Sequence, residues 1–148
     1  MPRVERVVDV DAPPAVLMDV LTDFAAYPTF LDEPSEATVR SSDGGSWEVG
    51  FRVRVVRDFA YVLRLTKATP TDLRWSLVEG PFRANEGGWA LEPLAGGTST
   101  RARYWVDLQM GMYVPNNIVR SLSERALPLT LEAFKREAEA RAASGGHP

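Results

Sequence analysis

A period-2 alternation running from about Pro34 to Met110, followed by an apolar stripe at helical spacing, predicts an α+β domain. In such a domain a curved antiparallel sheet of about seven strands wraps around a long C-terminal helix. A third observation completes the plan. A short alternating segment and a proline-started helix precede the strand-rich region, so the expected order is strand, two short helices, six strands, helix.

Val4 to Val10 alternates well enough for a short edge strand. Asp11 is placed to cap the next helix, whose first turn holds Pro13 and Pro14, where missing amides cost nothing. Val16, Leu17, Val20, Leu21 and Phe24 share one face of that helix, which should end near Phe24. Tyr27 precedes Pro28 and is therefore expected outside helical geometry, leaving a second short helix with Tyr27, Phe30 and Leu31 around it.

Turn signals at Asp43-Gly44-Gly45, Arg57-Asp58, Pro70-Thr71-Asp72, Gly80-Pro81 and Gly96-Gly97 divide the rest of the sheet into six strands. Trp47, Val49, Phe51, Val53 and Val55 share one face of their strand, and Phe59, Tyr61, Leu63 and Leu65 share one face of the next. For these faces to coincide the connection must be odd, and three residues are expected. The later strands turn Leu73, Trp75 and Leu77, then Trp89 and Leu91, then Tyr104, Val106 and Leu108 toward the same core. A helical segment from about Val114 to Arg141 closes the chain. Ile118, Leu122, Ala126, Leu129 and Ala133 form its stripe, Leu127, Leu131 and Phe134 lie beside it, and Pro128 should kink it. Residues 1–143 make one domain, and 144–148 read as a disordered tail.

Composition narrows the chemistry. With 148 residues, 45% hydrophobic and 25% charged, the chain can bury a core without staples. There is no cysteine, and the one histidine, His147, stands next to the last residue, which excludes a Cys/His zinc site and a histidine-activated nucleophile. No metal or cofactor is expected. The N-terminus shows no secretion signal and no apolar run approaches a membrane span, so a cytoplasmic protein is expected. The net charge of −3 argues against a nucleic-acid partner.

The segment Glu79 to Pro93 carries the most specific pattern. Gly80-Pro81-Phe82 opens a strand, and Gly87-Gly88 would permit a bulge before Trp89 and Leu91. It resembles the polyketide cyclase/dehydrase and coenzyme Q-binding branch of the START-like, helix-grip superfamily, where Gly-Pro-Phe precedes Gly-x-Trp. Tyr27-x-x-Phe30-Leu31 is similar to the quinone-binding members, which usually continue with proline, whereas here Asp32-Glu33 precede Pro34. Val114 to Arg120 and Leu127-Pro128 look more like the general cyclase/dehydrase members. The resemblance implies a non-catalytic carrier of a hydrophobic small molecule, such as a lipid, isoprenoid quinone or polyketide-like compound, held between sheet and final helix. It also admits a polyketide aromatase/cyclase, and a docking module of the ribosome-binding toxin type.

Candidate residues follow from facing. Phe51, Tyr61, Trp75, Trp89, Tyr104 and Leu122 point toward the interior and are candidate ligand contacts, Tyr61, Trp75 and Tyr104 having polar tips that need partners. Arg83 and Asn85 join them if their strand is regular, while a bulge at Gly87-Gly88 would turn Phe82, Ala84 and Glu86 inward instead. Tyr27, Phe30 and Leu31 on one side and Met110, Met112, Tyr113 and Val114 on the other would frame the entrance. Glu79 shares the parity of Trp75 and Leu77, so Glu79 and Tyr61 are the proton-transfer candidates if the chain is an enzyme. Arg52, Arg54, Arg64 and Arg74 line up on the outer face as a candidate protein-docking stripe.

Overall fold

The computed structural model describes residues 3–54, 58–110 and 126–144. Seven antiparallel strands form one sheet: β1 (Val4–Val10), β2 (Glu36–Ser42), β3 (Ser46–Arg54), β4 (Asp58–Thr69), β5 (Asp72–Glu79), β6 (Phe82–Leu94) and β7 (Ser99–Met110). Their order is β1-β7-β6-β5-β4-β3-β2, so the first two strands occupy opposite edges. The chain between them must therefore cross the whole concave face. It does so as α1 (Pro14–Thr22), a single 3₁₀ turn (Phe24–Ala26) and α2 (Tyr27–Phe30), and α3 (Leu127–Ala143) packs beside α1 on the same side.

α1 buries Val16, Leu17, Val20 and Leu21, with Phe24 just beyond it, on the face that the sequence periodicity indicates. Its start differs from expectation. Pro13, not Asp11, occupies the N-cap position, and the Asp11 amide instead donates to Glu139 Oε2 at 2.8 Å. Glu139 also receives Lys135 Nζ, which in turn reaches the Asp9 carbonyl, so the β1–α1 corner and α3 are tied together. Tyr27 adopts right-handed helical angles despite Pro28. The local preference is overridden because its ring is packed between Phe24, Phe51 and Phe134 and its hydroxyl donates to the Leu21 carbonyl.

In the helix that closes the fold, Ala133 of the expected stripe is buried, but the larger residues expected beside that stripe carry most of the burial. Leu131, Phe134 and Ala138 are buried and Leu127 packs against the core, whereas Leu129 is 63% exposed. Of two adjacent apolar stripes, the one with the bulkier side chains faces the sheet. Pro128 stands in the first turn of α3, where its missing amide costs nothing. The segment from which it would kink, with Ile118 and Leu122, lies outside the described residues. Ser144, assigned by sequence to the tail, still donates its amide to the Ala140 carbonyl and finishes the helix.

Register settles which side chains meet. Arg54 pairs with Asp58, leaving the three-residue connection that the coinciding faces of β3 and β4 require. β6 is regular through Gly87 and Gly88, and its irregularity falls earlier, between Phe82 and Ala84. The two glycines have another reason. A Cβ on Gly87 would fall 2.7 Å from Trp75 Cε2, and one on Gly88 would fall 2.9 Å from Trp105 Nε1. Each glycine seats an indole, one on the concave and one on the convex face of the sheet.

Gly87→Ala should therefore lower unfolding stability by about 2 kcal/mol or more, because Trp75 and the β7 backbone both crowd the new methyl. Denaturant titration checks this, and a change within about 0.5 kcal/mol, the range of an ordinary surface substitution, would contradict the seating.

Candidate functional site

The concave face does not fill. Between β3–β7 and α3 lies a cavity of about 210 Å³. Seven aromatic side chains follow one another around it: Tyr61, Phe51, Tyr27, Phe134, Trp89, Tyr104 and Trp75. Successive ring centroids are 5.5, 6.1, 5.3, 5.5, 5.0 and 5.7 Å apart, all within the range of favourable aromatic contact. Leu63, Leu65 and Leu73 from β4 and β5 complete the inner wall. Rings that brace one another in this way cannot all turn inward to collapse the space.

Polar groups are few and have distinct placements. Asn85 is 7% exposed and accepts the Trp75 indole N–H through Oδ1 at 3.2 Å, which fixes the plane of that ring. Burial pushes the phenols of Tyr27, Tyr61 and Tyr104 well above the usual range, so all three stay protonated at neutral pH. The Tyr27 hydroxyl is already committed to Leu21. Tyr104 lines the cavity, and no hydrogen bond of its hydroxyl is found among the described residues.

Several sequence-selected residues lie elsewhere. Glu79 does not share the interior with Trp75, because Leu77 pairs with Leu63 while Glu79 pairs with Val62, which makes Val78 an extra residue and reverses parity. Glu79 sits at the surface and binds Arg40 at 3.2 Å. Arg83 is the corresponding extra residue of β6 and is exposed, while Phe82 on one side reaches the Tyr61 ring and Asn85 on the other is buried. Neither Glu79 nor Arg83 walls the cavity. Tyr27 and Leu31 belong to the wall, and Phe30 borders an outer groove beside it. Met110 ends β7 opposite Phe82. Met112, Tyr113, Val114 and Leu122 lie outside the described residues.

On the outer face three of the four stripe arginines are neutralised: Arg52 by Glu36, Arg54 by Asp58 and Arg64 by Glu48, at 2.9 to 3.0 Å. Arg74 alone of the four has no such partner among the described residues. Sequence reasoning missed Glu33, Pro34 and Thr130 as the cavity's rim. The one available signal was the Asp32-Glu33 pair standing where quinone-binding relatives usually continue with proline.

Comparison with known proteins agrees with this geometry. Residues 10–135 match the family described as polyketide cyclase / dehydrase and lipid transport. The chain belongs to that family. Among solved structures, the ZhuI aromatase/cyclase from Streptomyces sp. R1128 superposes with a TM-score of 0.83 at 21% identity, over 98% of each chain. A START superfamily protein from Mycobacterium smegmatis gives 0.78 at 20% identity, over 96% of this chain and 97% of its own. A STAR-related lipid transfer protein fragment from Xanthomonas axonopodis gives 0.77 at 15% identity, over 92% and 85%. At such identities these likenesses establish the shared START-like, helix-grip fold. A comparison with curated proteins found no match. No helix among the described residues is long and apolar enough to cross a membrane, and no cluster among them could hold a metal ion.

Absorbance titration should find at most one of the four tyrosines ionised at about pH 11, since burial holds Tyr27, Tyr61 and Tyr104 protonated. Because their folded-state values are raised, the stability they contribute is complete below about pH 10 and falls as pH rises beyond it. Two or more phenolates in protein that is still folded at about pH 11 would contradict a closed aromatic site.

Proposed function

We propose that the chain binds a small, mostly apolar aromatic molecule in this cavity without transforming it. The observation that carries the reading is the aromatic wall itself: an unfilled space walled by seven braced rings, Tyr104 among them. The family's description names polyketide cyclisation, dehydration and lipid transport, and all three act on largely hydrophobic molecules. Size favours a compact guest. A dry cavity of about 150 Å³ accepts benzene, so 210 Å³ within the described walls suits about two fused rings rather than an extended chain.

Burial of about 200 Å² of such a ligand supplies about 5 kcal/mol before association costs, which leaves room for a polar anchor to matter. Tyr104 supplies that anchor. Glu79, the carboxylate expected to transfer a proton, is away at the surface, paired with Arg40, and the wall phenols stay protonated at neutral pH.

Calorimetric titration with 1-naphthalenemethanol should show saturable binding to the full chain. Tyr104→Phe should weaken it about two- to tenfold, the worth of one hydrogen bond, with little change in melting temperature. Unchanged affinity in Tyr104→Phe would remove Tyr104 as anchor. Conversion of a polyketide chain to a cyclised product by the wild type would replace the carrier reading with the cyclase one.

A further inference from the structure

We infer that the cavity prefers aromatic guests that carry a protonated amine, and that Glu33 is the residue that reads this charge. The inference rests on the cavity being the binding site proposed above. Glu33 is the one charged side chain among the described residues that wall the inner cavity. It also lines the outer groove, a second space of about 210 Å³ that shares Leu31, Glu33 and Thr130 with the first. Glu33 therefore stands where the two spaces adjoin.

Glu33 is held in place yet unspent. Leu31 and Pro34 on either side of it are buried, which anchors the backbone at the rim. The carboxylate accepts one long hydrogen bond, from the Arg54 amide at 3.4 Å, and makes no ion pair among the described residues. The Arg54 guanidinium is itself engaged by both oxygens of Asp58, at 2.9 and 3.3 Å. Inside the rim stand Phe51 and Tyr61, aromatic rings with no charge of their own that would compete with Glu33 for an ammonium group.

One cation opposes this. Arg136 is exposed and lines the outer groove together with Asp32 and Glu33. It does not wall the inner cavity, so a guest seated among the rings meets Glu33 first, and the three groove charges sum to −1. A polar end pointing outward thus enters a region of net negative charge.

Three probes with one ring system separate the possibilities: 1-naphthylmethylamine, 1-naphthalenemethanol and 1-naphthoate, titrated into the full chain at neutral pH and low salt. The wild type should bind the amine about fivefold more tightly than the alcohol, as expected for a partly exposed ion pair. Glu33→Gln should abolish that preference, so that amine and alcohol bind alike, and Glu33→Lys should make the naphthoate the preferred probe. Equal affinities in the wild type, or a preference that survives Glu33→Gln, would overturn the inference while leaving the binding reading intact. Tightest wild-type binding of the naphthoate would assign the rim to Arg136 and overturn it as well. Failure of all three probes to bind would sink the binding reading and this inference with it.

Discussion

The contact between the Trp75 indole and the backbone at Gly87 organises the interior. Only a residue without a Cβ lets the ring lie against β6 in this way, and the sheet pairs Trp75 with Gly87 directly. Once seated there, the indole donates to Asn85 and meets Tyr104, which in turn meets Trp89 and, through it, Phe134 of α3. Each ring is placed by the one before it. The consequence is a continuous wall of braced rings running from the sheet to α3.

Closure of the opposite side depends on chain path. Because β1 and β2 lie at opposite edges, the connection between them must traverse the concave face, and it delivers Tyr27 to the cavity wall and Phe30 to the outer groove. α3 is then held by charge at two places. Glu139 and Lys135 fix it to the β1–α1 corner, and Arg141 joins Asp23 at the end of α1. These links are polar and solvent-facing, so they set the helix position while Phe134 supplies the apolar contact with the rings.

Much of this architecture was legible in the sequence because it follows from periodicity and turn chemistry. The strand breaks, the buried face of α1 and the odd β3–β4 connection are all consequences of side-chain alternation. The family pattern around Gly80-Pro81-Phe82 and Trp89 was legible too. What escaped was local and depended on partners. The extra residues at Val78 and Arg83 reverse the facing of Glu79 and of Phe82, yet a bulge is decided by the neighbouring strand and leaves no mark on the strand that carries it. Gly87-Gly88 looked like such a bulge because a glycine pair that permits a kink and one that seats two indoles read alike. Glu33 escaped for a third reason: a rim is assembled from a loop, a strand end and a helix turn that only the tertiary fold brings together.

The account stands on the cavity being an occupied site and not a packing defect. A crystal structure of the protein grown with 1-naphthalenemethanol tests this most directly. The account predicts flat density for the ring system between Trp75, Phe134 and Phe51, with the ligand hydroxyl within hydrogen-bond distance of Tyr104 Oη and the seven wall rings unmoved. An interior closed by rotation of those rings, or a ligand found only at the surface, would contradict it.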